Sequence, residues 1–189
     1  MHAAGLATIA YYYFDFRDIK KQDLYGLLSS LISQLSAELN SCLKVLSQLY
    51  LDHASGMQKP TTTTLTKCMK DMLSLPGLGP IYIIVDALDE CPDVSGRMPS
   101  AREEVLELFE ELVGWKLSNL HLCVASRPEI GIRKTLEPLE PVQISLHDES
   151  GQKDDMIQYI KSVVRKLQSW RDEDKELAIK VLSWKAAGM

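Results

Sequence analysis

The sequence contains only four cysteines, and no two of them lie close together along the chain. The CxxC and CxxxC spacings of common zinc sites are therefore missing, and we do not expect a zinc centre. Such scattered cysteines fit a reducing compartment. Cys42, Cys68 and Cys123 lie in apolar patterns and are predicted to be small core residues. Cys91 follows a cluster of acids and could lie near a site or be only a spacer before Pro92.

Long apolar runs are also missing. Residues 1–14 are mostly apolar, but they have no basic start, and Asp15 and Arg17 follow directly. This pattern predicts a strand and not a signal peptide. No run approaches the roughly 20 apolar residues that a membrane-spanning helix needs. We therefore predict a cytoplasmic protein with no membrane partner.

Basic residues are not in excess. The chain has 21 Lys and Arg against 26 Asp and Glu, for a formal net charge of −5. The densest basic pairs, Lys20-Lys21 and Arg165-Lys166, are interleaved with acids and indicate solvated helix faces. No nucleic-acid partner is expected from this balance. The apolar share of 46% and the charged share of 25% are typical of a globular domain with a real core.

Along the chain, segments with the apolar spacing typical of strands alternate with segments that have the apolar spacing typical of helices. This pattern predicts strands at 7–16, 81–86, 120–125 and 141–146. Helices are predicted over 22–52 (one long helix or two), 61–75, from the capping box at Ser100 onward, 129–136, from Ser150 to about Leu167, and 172–188. This order predicts an α/β protein with a three-layer parallel sheet and right-handed crossovers. We place an α/β core at 1–148 and a C-terminal helical segment at 149–189.

Three acids follow the most apolar strand. Residues 81–85 are apolar without interruption, and Asp86, Asp89 and Glu90 come directly after them. Such a run is typical of a strand buried on both faces of a parallel sheet. Ligands bind in the crevice beyond the carboxyl ends of these strands. A carboxylate there often holds Mg²⁺ against a nucleotide phosphate.

A cation follows the next strand, at Ser126-Arg127. Since adjacent strands lie roughly 4.8 Å apart, the acids and Arg127 are expected to face one pocket. Phosphoryl chemistry needs both acids and a cation. His121 alternates with core residues and is interpreted as a packed or hydrogen-bonded histidine. A Ser126-based hydrolase triad is discarded because the sequence has no GxSxG elbow.

Three segments together resemble a known family: AYYYFDFRD at the start, IYIIVDALDEC around Asp86, and LHLCVASRPEI around Arg127. They look like the NACHT-type NTPases of the STAND class, most of all the fungal branch with a nephrocystin-3-like N-terminal NTPase domain. The resemblance implies a P-loop NTPase fold that acts as a nucleotide-dependent signalling switch. It implies that Asp86, in the Walker B motif, holds Mg²⁺ and that Asp89 and Glu90 activate water. Ser126 and Arg127 would form the sensor of the terminal phosphate of ATP or GTP.

One motif of the resembled family is missing from the sequence. No glycine is followed by lysine, so the sequence has no GxxxxGK[ST] phosphate loop, and the family's first strand would precede residue 7. Gly77-Leu78-Gly79 precedes a strand and does not replace that loop. Losing three charge-assisted hydrogen bonds removes about 5 to 9 kcal/mol, comparable with the ~8 kcal/mol of a micromolar complex. We therefore expect weak nucleotide binding and negligible turnover by this chain.

Several alternatives stay open. The fold could be a non-enzymatic interaction module with protein partners or self-association, in which case Asp86→Asn changes nothing. A metal-dependent phosphoesterase would need further acids, for which only Asp15 and Asp18 are available. Arg127 could form a structural ion pair with Asp86 or Asp89, and Glu90 could be an ordinary surface residue.

Overall fold

A computed structural model describes residues 7–93, 99–139, 142, 144 and 150–186. The chain divides into two compact units, residues 1–141 and 142–189. The boundary predicted at 148/149 stays a prediction.

The first unit alternates strands and helices in the predicted order. Its strands are β1 (Thr8–Tyr13), β2 (Ile81–Asp86) and β3 (Leu120–Val124). Its helices are α1 (Leu24–Glu38), α2 (Asn40–Asp52), α3 (Thr62–Leu73), α4 (Ala101–Gly114) and α5 (Ile130–Leu136). Short 3₁₀ turns at Ile19–Lys21, Ala54–Gly56, Leu88–Glu90 and Glu137–Leu139 complete the unit.

The three strands form one parallel sheet in the order β1-β2-β3. Tyr13 lies opposite Asp86, and Val85 lies opposite Val124. The prediction of an α/β protein with a parallel sheet is therefore confirmed. Because the strands run in register, their carboxyl ends meet at one edge of the sheet.

Local sequence signals set the helix boundaries. Thr61 accepts a hydrogen bond from the amide of Thr64 and caps α3. Ser100 and Glu103 form the predicted capping box of α4. The segment 22–52 is two helices, because Leu39 has an extended backbone between them.

One face of the sheet is covered, completely at the centre of β1 and β2 and partly along β3. The alternate side chains Ala10, Ile83 and Val85 have no exposed surface and join one apolar cluster with residues from all five helices, including Phe109 and Ile132. Burying a side chain the size of Val or Ile stabilises the fold by roughly 1.5 to 3 kcal/mol. This face is therefore the core of the unit.

The opposite face is open. Ile84 is 37% exposed, Tyr11 50% and Tyr13 53%, and Cys123 is exposed as well. The predictions that β2 is buried on both faces and that Cys123 is a core residue are therefore wrong. The reason is that α1 to α5 all contribute to the single core on the other face. Among the described residues, the first unit has one helical layer on its sheet in place of the predicted two.

The edge of β1 is protected by a side chain. The amide nitrogen of Gln34, on α1, donates to the carbonyl of Tyr11 at 2.7 Å, and its oxygen accepts from the Tyr11 amide at 3.0 Å. Gln34 thus forms, at one position, the pair of hydrogen bonds that the backbone of a neighbouring strand would form. Such covering blunts the tendency of an edge strand to pair with another chain.

The second unit contains two helices that contact each other, α6 (Ser150–Arg165) and α7 (Asp172–Ala186). Val164 and Ile179 are its buried apolar side chains among the described residues. Both helices were predicted, although Gly188 lies outside the described residues. The strand predicted at 141–146 also falls mostly outside them, and stays a prediction.

Candidate functional site

Three loops meet beyond the carboxyl ends of the strands. They follow β1 at Phe14, β2 at Ala87 and β3 at Ala125. The amide of Leu88 donates to the carbonyl of Ala125 at 3.1 Å, and the Ala125 amide donates to Val85 at 2.8 Å. The sheet hydrogen bonding therefore continues one step into the loops and holds the turn after β2 against the end of β3.

Asp86 ends β2 and begins a tight turn. Its Oδ1 atom accepts a hydrogen bond from the amide of Ala87 at 2.9 Å, and its side chain is half-buried. Ala87 has φ 56° and ψ 44°, the left-handed conformation. For a residue with a Cβ atom this conformation costs roughly 1 to 2 kcal/mol. The surrounding hydrogen bonds hold the turn in this conformation, and backbone of this kind is common at functional sites.

Asp89, not Asp86, is the acid that meets Arg127. Its Oδ2 atom lies 3.3 Å from Nε of Arg127. Its Oδ1 atom accepts from the Arg127 amide at 3.1 Å and from Oγ of Ser126 at 3.4 Å. The ion pair considered for Arg127 therefore forms, with Asp89 as its partner. The side chain of Asp89 is 10% exposed and that of Arg127 is 82% exposed, so the acid is fixed and the guanidinium reaches into solvent.

Glu90 faces the loop after β1. Its Oε2 atom accepts a hydrogen bond from the amide of Phe16 at 3.2 Å. In the same loop Arg17 donates from its amide and from Nε to Asp15, both at 2.9 Å. The side-chain hydrogen bond from Arg17 is the main reason that the pKa of Asp15 falls to about 2. Glu90 thus connects the first and second loops.

An open cavity of about 370 Å³ lies among these loops. Asp89, Glu90 and Arg127 contribute to its wall, and Asp86 and Ser126 are not among its lining residues. The structure therefore brings together three of the five predicted site residues around one hollow. The lining residues are Phe16, Gln22, Asp89, Glu90, Cys91, Pro92, Arg102, Arg127 and Glu129.

Arg102 is a lining residue that the sequence analysis missed. Its side chain is 10% exposed, and its guanidinium donates to the carbonyls of Asp89 at 2.8 Å and Cys91 at 2.9 Å, and to the carboxylate of Glu129. A signal was present in the sequence. Arg102 lies in the first turn of α4, where the helix dipole disfavours a cation, so it needs anionic or carbonyl partners nearby.

Cys91 is buried in the wall of the cavity. Burial is the main reason that its pKa rises to about 12. Its Sγ atom donates to the carbonyl of Gln22 at 3.5 Å, and Nε2 of Gln22 donates to the carbonyl of Phe16 at 2.6 Å. A thiol that stays protonated is a poor nucleophile. Cys91 therefore links two loops and does not act as a reactive group.

Other candidate features have structural roles. His121 stacks on Tyr82 with ring centroids 4.6 Å apart, but it is exposed on the open face and does not lie among core residues as predicted. Within the described ranges, no group of three or more His, Cys, Asp and Glu side chains is placed to hold a metal ion. Over the same ranges, no helix combines the length and the apolar character that crossing a membrane requires.

These observations define an α/β protein whose parallel strands present acids and an arginine at their carboxyl ends. Residues 2–127 match the family described as nephrocystin 3, N-terminal. Because this match covers more than half of the 189 residues, the chain belongs to that family. No curated protein and no solved structure gives a significant match.

Proposed function

We propose that the chain is the acid- and arginine-bearing part of a nucleotide-binding NTPase domain of the NACHT type, in the STAND class of P-loop NTPases. The observation that carries this proposal is the cavity at the strand ends, whose wall includes Asp89, Glu90 and Arg127. Phosphoryl groups bind at this position in open α/β sheets. Its carboxylates and guanidinium groups are the two kinds of group that magnesium-nucleotide recognition uses.

Arg127 is assigned to the terminal phosphate, with Ser126 beside it. Its guanidinium is 82% exposed, and an exposed ion pair contributes only about 0 to 1 kcal/mol. A phosphate group, two of whose oxygens accept two N–H groups of a guanidinium at once, is therefore able to replace Asp89 as its partner. That exchange releases an oxygen of Asp89 while the Arg127 amide still holds the other one.

Asp86 is assigned to Mg²⁺ and Asp89 and Glu90 to the orientation of water. The donors fit this ion, since Mg²⁺ usually takes one or two carboxylates and fills its other positions with water and phosphate oxygens. Only Oδ1 of Asp86 forms a hydrogen bond within the described part of the chain, so its second oxygen is available. When bound, Mg²⁺ supplies charge neutralisation at the β- and γ-phosphates. A two-metal phosphoesterase is less well supported, because Asp15 is held by Arg17 and Asp18 caps a 3₁₀ turn.

A titration followed by amide NMR tests the proposal. The 189-residue chain is titrated with Mg-ATP and Mg-GTP, each with and without excess EDTA. We expect shifts at residues 86–90 and 126–127 with dissociation constants of about 1 mM or weaker, because no phosphate loop contributes. Asp86→Asn should remove the magnesium dependence of these shifts. Asp52→Asn, which removes the same charge at the end of α2, is the matched control.

Three results would count against the proposal. Absence of shifts at these residues at millimolar Mg-nucleotide would overturn it. A low-micromolar dissociation constant would contradict the weak binding deduced from the missing phosphate loop. Binding that Asp86→Asn leaves unchanged would remove the metal assignment.

A further inference from the structure

Arg102 connects the two loops that carry the site residues. It lies on α4, outside both loops, and its side chain is buried. Three of its N–H groups are used: Nε by the carbonyl of Cys91, one terminal nitrogen by the carbonyl of Asp89, and the other by the carboxylate of Glu129. Cys91 and Asp89 belong to the loop after β2, and Glu129 to the loop after β3. One guanidinium thus joins both.

The two carbonyls fix the backbone on either side of Glu90. Hydrogen bonds from a charged donor are shorter and stronger than those between neutral groups. The Arg102 amide adds a third contact to the same loop, since it donates to the carbonyl of Pro92 at 3.2 Å. The 3₁₀ turn Leu88–Glu90 is therefore held in place by hydrogen bonds from Arg102 of α4. The positions of the Asp89 and Glu90 side chains follow from that turn.

The contact with Glu129 fixes the other side of the cavity. Glu129 follows Arg127 by two residues, and the amide of Glu129 donates to the carbonyl of Arg127 at 2.8 Å. Asp93, 3.7 Å from Arg102, adds a further negative charge. The guanidinium is therefore surrounded by carbonyls and carboxylates, and its own charge is balanced without a ligand.

We infer that Arg102 is a positioning residue that sets the distance between Asp89 and Arg127. It acts through the loops and does not itself contact the nucleotide. Its role in nucleotide binding rests on the function proposed above. Its effect on the Asp89–Arg127 pair does not, so the two ideas can fail separately.

The test uses the full chain with R102Q, R102K and, as a matched control, R133Q. Arg133 pairs with Glu137 on the exposed surface of α5, so its loss leaves the site loops intact. Hydrogen exchange is measured at the amides of Leu88, Glu90, Cys91, Arg127 and Glu129. The Nε–Hε resonance of Arg127 reports its ion pair directly.

We expect R102Q to accelerate exchange at these amides by about tenfold or more, the change that corresponds to losing one charge-assisted hydrogen bond. Amides of α1 should stay unchanged. The Arg127 Nε–Hε resonance should move toward the position it has in D89N, and R102Q should add nothing in the D89N background. R102K keeps the positive charge but lacks the planar guanidinium with its several N–H donors. It should therefore change amide exchange and the Arg127 resonance less than R102Q does.

The outcomes distinguish the positioning role of Arg102 from the proposed nucleotide binding. Unchanged exchange and an unchanged Arg127 resonance in R102Q would overturn the positioning role, whatever the chain binds. If R102Q does not fold, R102K decides: a wild-type Arg127 resonance in it would overturn the role, and a partial shift supports it. Absence of Mg-nucleotide shifts in the wild type would overturn the proposed function while the exchange data still decide the role of Arg102.

Discussion

Two aspartate–arginine pairs at the same edge of the sheet, Asp15–Arg17 and Asp89–Arg127, differ in how they are held. Asp15 and Arg17 are two residues apart in one loop, and the arginine is 76% exposed. Asp89 and Arg127 come from loops after different strands, and Asp89 is 10% exposed. The first pair forms whenever its loop has the right shape. The second requires β2 and β3 to be adjacent, so it reports on the tertiary fold.

Asp89 and Asp15 also differ in the groups, other than arginine side chains, from which they accept hydrogen bonds. Asp89 accepts from the Arg127 amide and from Ser126, groups of the neighbouring loop. Within the described part of the chain, the carboxylate of Asp15 accepts only from the amide and the side chain of Arg17. Since exposed ion pairs contribute little, the larger role of Asp89 rests on these hydrogen bonds to the neighbouring loop.

Asp89→Ala should give the largest effect on stability. It removes the acceptor of the Arg127 amide, while the Ser126 hydroxyl keeps the carbonyl of Arg127 as an acceptor, so the expected cost is about 0.5 to 1.5 kcal/mol. Urea unfolding measures this change. Asp15→Ala is the matched control and should lower the midpoint less, because its ion pair with Arg17 is exposed. Equal effects of the two variants would show that the pairs do not differ in the way described.

The alkaline stability should depend on Cys91. The pKa of its thiol in the folded protein, about 12, is raised above the ordinary value of 9.0. Its contribution to stability is therefore fully present below pH 9 and is lost as the pH rises from 9 toward 12. The slope is up to about 1.4 kcal/mol per pH unit.

Comparing wild type with Cys91→Ala isolates this contribution, because Cys42, Cys68 and Tyr12, whose pKa values are also raised, are common to both proteins. The stability difference between the two proteins should shrink from pH 9 upward. A difference that stays constant with pH would contradict the burial of Cys91.

Thiol labelling should distinguish the two faces of the sheet. Cys123 lies exposed on the open face, whereas Cys42, Cys68 and Cys91 are buried. At neutral pH an alkylating reagent should modify Cys123 rapidly and the other three slowly, as measured by mass spectrometry of the intact protein and its peptides. Cys123→Ser should remove the fast phase. Protection of Cys123 in the native protein would mean that another element covers this face.

The smallest effect is expected at Asp15. Its pKa, lowered to about 2 by Arg17, means that its contribution to stability is present above the ordinary value of 3.8 and is lost as the pH falls through about 2. Carbon NMR of the carboxyl group measures the titration midpoint. Arg17→Gln should return the midpoint toward 3.8. A midpoint that stays near 2 in this variant would assign the shift to another cause.

Local sequence patterns predicted most of the fold. The capping box at Ser100 and the cap at Thr61 placed the starts of α4 and α3, because capping depends on residues within one helical turn. The apolar run before Asp86 located β2. The same run led to the wrong prediction that β2 is buried on both faces. An apolar residue such as Ile84 does not show by itself whether a helix covers it.

The candidate site was predicted less completely. Asp86, Asp89, Glu90, Ser126 and Arg127 were all found at strand ends, because acids and a cation directly after apolar strands are visible in the sequence. Arg102 was not, because its partners are main-chain carbonyls and a carboxylate 27 residues away. Contacts of this kind depend on where α4 packs.

The amino-acid sequence by itself determined the order of strands and helices, their ends, and the acids and arginine that follow β2 and β3, because periodicity and capping act over a few residues. Only the tertiary structure decided that Arg127 pairs with Asp89 and not Asp86, that one face of the sheet stays open, and that Arg102 joins the two loops. These features depend on packing between segments distant in the chain, where burial and geometry select one partner among several of equal charge.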